Sequence, residues 1–205
     1  MSARAKLVYG VGINDANYDV TRYELLNGKR TQVWICPFYS RWASMIQRCY
    51  YPPCQLKHPT YLGCSVFEGW HVFSTFKSWM EVQDWHGKEL DKDLLSKGNK
   101  IYGPETCCFL NRIINSLVRE RYIHMGGLPA GVAFYKDRGK FRSRAHCVFT
   151  GKKNHLGYFE TPHEAHAAWL EFKITQAKTL AAQQTDNRVA KALVCLYESY
   201  GAQNV

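Results

Sequence analysis

The sequence predicts an α+β fold in two parts, one over residues 1–124 and one over 129–205. Three observations lead there. Up to residue 120, strand and helix signals alternate in short blocks rather than separating. The stretch "HMGGLPAG" at 124–131 then interrupts all periodicity with glycines and a proline, as a linker does. Beyond it, three short alternating runs precede one long helical stretch, the pattern of a three-stranded antiparallel sheet backed by a helix.

In chain order, "KLVYGVG" and "RTQVWIC" alternate apolar and polar residues around the turn "NGK" at 27–29, which reads as a β-hairpin or extended arm. "YSRWASMIQRCY" places Trp42, Met45, Ile46 and Cys49 on one helical face, and Pro52 and Pro53 are expected to stop that helix before a loop to Cys64. A second helix over 72–82 directs Phe73, Phe76 and Met80 inward. The stripe Trp70, Phe73, Phe76 and Trp79 reads as core, with base stacking as the other option.

Residues 88–120 then read strand, loop, strand, helix: "KELDKD", the turn-rich "SKGNKIYGP", "ETCCFL", and a helix burying Ile113, Ile114 and Leu117. After the linker come the strands "GVAFYK", "GKFRSRAHCVF" and "NHLGYFE", separated by "DRG" and "TGKK". Thr161 and Glu164 form a capping box, with Pro162 at the first position of the following helix. A last helix from Asp186 presents Val189, Leu193, Leu196 and Tyr200.

The 205 residues include 27 Lys/Arg against 17 Asp/Glu, a formal charge of +10 that points to a polyanionic partner. The surplus is focused. Residues 129–160 hold seven basic and two acidic side chains, whereas 161–205 hold four of each. No apolar run approaches the roughly 20 residues that span a bilayer, and "MSARAKLVYGVG" has no secretory core, so a cytoplasmic protein without a membrane partner is expected. The eight cysteines include Cys36, Cys49, Cys54 and Cys64 near His58, but no C-x-x-C pair. Buried thiols, not a zinc site, are the expectation.

On a strand, Lys140, Arg142 and Arg144 share one face and Phe141, Ser143 and Ala145 the other. Lys136, Arg138, Lys152 and Lys153 extend the positive side at the turns, while Phe141, Leu156, Tyr158, Ala165, Trp169 and Phe172 read as core. The stretch 131–172, with Gly131-Val132, "GKFRSR", "LGYF" and "TPHEAHAAW", resembles the APETALA/ethylene-response-factor type DNA-binding domain, with Phe141 where that family usually has tryptophan. The resemblance implies a sheet laid in the major groove of double-stranded DNA and a helix packed behind it.

The stretch "LDKDLLSKGNKIYGPETCCFLNRIINSL", residues 90–117, resembles the ββα-metal, or HNH, nuclease motif of small tailed-phage endonucleases, including homing-type enzymes. That resemblance implies one Mg²⁺ or Mn²⁺ ion held by Asp91 on the first strand and Asn115 on the helix, with Asn111 as an alternative ligand. Lys92 stands where the general-base histidine usually stands. It reads as a phosphate grip, since a lysine of ordinary pKa near 10.4 is a poor base at neutral pH. Tyr102 is a candidate base, and His86 and His124 flank the motif. Asn99 reads either as a loop tie or as a plain turn residue.

Joined, the two halves imply a metal-dependent DNA endonuclease whose C-terminal sheet selects the site. One centre per chain nicks a single strand, so double-strand cleavage would require a homodimer. The alternatives are a non-enzymatic DNA-binding regulator or host-takeover protein on a degenerate HNH scaffold, and an inhibitor that sets the basic face against an acidic protein.

Overall fold

Asn27 and Gly28, at φ 52° and 73°, supply the two left-handed positions of a tight hairpin turn. They join β1 (Thr21–Leu26) to β2 (Lys29–Ile35) in antiparallel register, so the expected hairpin forms. The ladder shifts once, between Arg22 and Tyr23. The computed structural model describes residues 7–120 and 127–202, apart from the side chains of 119–120 and 199–202. Over these residues the chain is α+β and falls into two units, 1–109 and 110–205. The division comes earlier than the glycine-rich linker, so the helix after residue 110 groups with the second unit.

In the first unit, α1 (Pro37–Tyr50) buries the expected Trp42, Met45, Ile46 and Cys49. Pro52 and Pro53 do more than stop it. They open a short helix, α2 (Pro52–Lys57), because the first turn needs no N–H from them. The loop expected to follow contains β3 (Ser65–Val66), which pairs in parallel with β5 (Ile101–Tyr102). Two-residue strands carry no alternation to read, and neither was expected from sequence.

Helix α3 (Phe73–Glu81) starts on Val72, which has no capping side chain. Asp15 serves instead: one carboxylate oxygen accepts from the Ser74 N–H at 2.9 Å and the other from its hydroxyl at 2.5 Å. Phe73, Phe76 and Met80 are buried as expected, and Trp70 and Trp79 join them, so the aromatic stripe is core. Trp42 keeps its indole N–H satisfied inside by donating to the Trp70 carbonyl at 2.7 Å. Strand β4 (Glu89–Asp91) pairs with β6 (Cys108–Leu110), the two main strands expected in this stretch.

In the second unit, α4 (Arg112–Glu120) buries Ile114 and Leu117, while Ile113 is 40% exposed and does not share their face. The antiparallel sheet follows in the order β7 (Val132–Tyr135), β8 (Lys140–His146), β9 (Lys153–Phe159). Its β8–β9 ladder carries a bulge: Ser143 faces Gly157, but Arg144 faces His155, leaving Leu156 as the extra residue.

Helix α5 (Pro162–Ala181) begins at the expected capping box, with Glu164 N–H donating to Thr161 Oγ1 and Thr161 N–H to Glu164 Oε2. It packs on the face of Val132, Ser143 and Ala145, all buried. Polar groups fix the join. Lys173, fully buried, donates to the His146 carbonyl at 2.6 Å, and Gln176 accepts from Val148 N–H at 2.7 Å. Helix α6 (Asn187–Ala202) closes the unit with Val189, Leu193, Leu196 and Tyr197 buried. The Tyr197 hydroxyl donates to the Leu117 carbonyl at 2.7 Å. Tyr200, expected on this face, lies outside the described side chains.

Gly131 explains the start of β7. Its φ is 79°, and a Cβ there would lie 2.0 Å from Trp169 Cδ1. Only glycine lets the chain turn into the sheet over the indole.

Candidate active site and candidate nucleic-acid interface

In the first unit, the turn after β4 is organised by Asp91. Its Oδ1 accepts from the N–H groups of Asp93 (2.9 Å) and Leu94 (2.8 Å), while among the described residues nothing hydrogen-bonds to Oδ2. Burial raises the carboxyl pKa above the ordinary aspartate value, and the two N–H donors offset this only partly. Asp91 is therefore a desolvated carboxylate with one oxygen available.

Lys92 is turned inward, 5% exposed. Its ammonium donates to Asp93 Oδ1 at 2.6 Å and to the Asn99 carbonyl at 3.0 Å. Burial pulls its pKa down, but the Asp93 hydrogen bond and charge outweigh that and raise it overall. All of this suits a loop tie; a reach to a phosphate or a base role would need the amine free. Asn99 completes the tie by donating to the carbonyls of Lys92 (3.0 Å) and Ile101 (2.7 Å) and accepting from Ile101 N–H. Of the two readings open for Asn99, the loop tie holds.

Tyr102 is 2% exposed, with the Arg48 guanidinium 3.5 Å from its hydroxyl. Burial pushes this phenol far up, more than Arg48 brings it down, so it stays protonated at neutral pH. His86 is exposed and stacks on Trp85 at 3.8 Å, and His124 lies outside the described residues. Arg48 and Arg41, whose Nη2 donates to the Lys88 carbonyl at 3.1 Å, are occupied within the unit.

Asn111 and Asn115 sit on the second unit. Asn111 Oδ1, the oxygen expected for a metal, accepts from Ile114 N–H at 2.9 Å, which makes it the cap of α4. Asn115 lies one turn into that helix, half-buried. Among the described residues no group of three or more His, Cys, Asp or Glu is placed to hold a metal ion. The thiols of Cys49 and Cys107 are pushed up to about 12, in each case chiefly by burial, so they are not thiolates.

The second unit's sheet presents one cationic face. Register puts Arg142 opposite Ala133 and Tyr158, and Arg144 opposite His155. Lys140, Arg142 and Arg144 share that side, as the strand alternation predicts, and Lys153 joins them through its pairing with His146. Lys136 and Arg138 are exposed at one turn and Lys152 at the other. Lys140 is held by Glu160 at 2.6 Å.

Tyr158 does not belong to the core. It lies on the cationic face, with the Arg138 guanidinium 4.5 Å from its ring centroid and His155 at 4.7 Å. Tyr135 lies beside it at 5.4 Å, beneath Arg142 at 5.2 Å. A reading that keeps Leu156 and Tyr158 on one face assumes an unbroken β9, and the bulge at Leu156 breaks it. Tyr135, one residue before Lys136, was the available signal. A largely apolar concavity of about 290 Å³, lined by Pro129, Val132 and Trp169, is bordered by Arg142, Arg144 and Lys153. Arg142 Nε is buried with no hydrogen-bond partner among the described residues. An unmet buried donor of this kind is costly until an acceptor arrives.

Comparison with protein-family models, with curated proteins and with solved structures found no match. No helix among the described residues is long and apolar enough to cross a membrane.

Proposed function

We propose that this chain binds double-stranded DNA through the β7–β9 face and hydrolyses phosphodiester bonds with the help of a divalent cation at Asp91. The observation that carries the reading is the cation–aromatic face. Arg142 and Arg138 are held over Tyr135 and Tyr158, which fixes two guanidinium planes for phosphates or guanine edges.

Asp91 suits a magnesium ligand, since one oxygen is unengaged and the group is partly desolvated. Asn115 and the alternative ligand Asn111 enter through the sequence resemblance, and the Asn111 amide oxygen also caps α4. Such an ion would act as a Lewis acid on the scissile phosphate. Within the chain, Asp91 would hold and orient it, and the Lys92–Asn99 tie would hold Asp91's turn in shape.

A second reading has specific support. Lys92 is engaged internally, Tyr102 is protonated, and His86 is stacked on Trp85, so among the described residues none of the candidate bases is positioned. A chain of this kind would bind DNA without cutting it. Supercoiled plasmid incubated with Mg²⁺, Mn²⁺ or EDTA, beside Asp91→Ala, separates the two. Metal-dependent nicking by the wild type alone supports hydrolysis. Salt-sensitive binding to duplexes carrying a selected site, with no nicking of them in either metal, supports the binding protein.

A further inference from the structure

The β1–β2 hairpin is the largest feature of the first unit that neither reading uses. Every residue from Arg22 to Trp34 is exposed, although Tyr23 and Gln32 line an open concavity with Tyr39 and Ser40 of α1. A two-stranded hairpin alone is marginally stable in water and gains from a partner. The apolar side chains gather at its end, with Leu25 77% and Leu26 47% exposed beside the Asn27-Gly28 turn.

The charges identify the partner. Each face carries one arginine held over an aromatic ring: Arg30 over Tyr23 at 4.3 Å, and Arg22 over Trp34 at 4.9 Å, on the other side. Lys29 adds a third cation at the tip, and Glu24 is the one acid. A ribbon positive on both faces fits between two negative walls, and the groove of duplex DNA is bounded by two phosphate backbones. The major groove, about 12 Å wide, admits a two-stranded ribbon. Six residues per strand reach about 20 Å.

We infer that this hairpin is a DNA-inserting arm, with Arg22, Lys29 and Arg30 meeting the backbones and Leu25 and Leu26 pressing on base steps at the tip. The inference rests on the DNA-binding reading and adds a second contact region on the other unit.

The test uses the full chain and a random-sequence duplex pool, with affinity measured across a salt series. The wild type is compared with Arg22→Ala/Arg30→Ala, Leu25→Ser/Leu26→Ser, and the sheet variant Arg142→Ala/Arg144→Ala. Thermal unfolding confirms that each variant folds. The arginine pair is expected to weaken binding roughly tenfold and to lower the slope of log K against log salt by about 2. The leucine pair should weaken binding with the slope unchanged. If the sheet variant loses affinity while both hairpin variants bind as the wild type does, the arm is overturned and DNA binding stands. If the wild type itself does not bind, both fall. A change in sedimentation without a change in affinity makes the hairpin a self-association strand and also overturns the arm.

Discussion

Lys92 and Asn99 hold each other reciprocally. The lysine ammonium donates to the asparagine's main-chain carbonyl, and the asparagine amide donates to the lysine's, each at 3.0 Å. These two bonds close the turn that follows β4. Lys92→Ala and Asn99→Ala are each expected to cost about 1–2 kcal/mol, and the double variant less than their sum. Denaturant unfolding of the four proteins in the cycle measures the coupling. Fully additive effects would mean that the two residues act separately.

Asp91→Asn should separate stability from function. Folding raises the carboxyl pKa, so the native state binds this proton more tightly than the unfolded chain. The group's contribution is therefore most favourable below the unfolded pKa and is lost as pH rises through the folded one. At pH 7 the buried charge is a net cost. Asparagine keeps an acceptor for the Asp93 and Leu94 N–H groups, so the variant should melt at or above the wild-type temperature at pH 7 while losing metal-dependent nicking. Unfolding midpoints at pH 4 and pH 7 check the sign, and a variant clearly less stable at pH 7 would contradict it.

Glu160→Gln should strengthen DNA binding. Lys140 is ion-paired with Glu160, an acid at the rim of the cationic face. Both partners are solvated, so breaking the pair costs little stability. Its loss frees one cation and removes one repulsive charge. A few-fold gain in affinity at low salt, shrinking as salt rises, is the expected result in a fluorescence-anisotropy titration.

Gly131→Ala should be among the most damaging single-methyl additions in the chain. A positive φ and a clash with Trp169 act together, at an expected cost of about 2–4 kcal/mol. Chemical denaturation with tryptophan fluorescence reports both the loss and any displacement of the indole.

Sequence made some of this legible because periodicity, caps and turns are local. The α1 and α3 core positions, the Asn27-Gly28 hairpin, the Thr161 capping box and the cationic side of β8 were all readable. What escaped depended on distant partners. Strands β3 and β5 are too short to alternate and exist because they pair with each other across the 34 positions between Val66 and Ile101. Lys92 looked available because nothing local reveals that Asn99 turns back to meet it. The capping role of Asn111 was not read from the sequence, because capping and coordination use the same amide oxygen.

The extra residue in β9 has a consequence for how this strand can vary. Beyond Leu156, the ladder places His155 opposite Arg144 and Lys153 opposite His146. Deleting Leu156 would leave Gly157 and His155 adjacent, as their partners Ser143 and Arg144 already are, so the ladder would run without a bulge and His155 and Lys153 would keep their side. Deleting Asn154 instead would bring Lys153 opposite Ala145 and turn it toward the helix. The bulge is therefore the place where this strand can lose a residue without exchanging its faces.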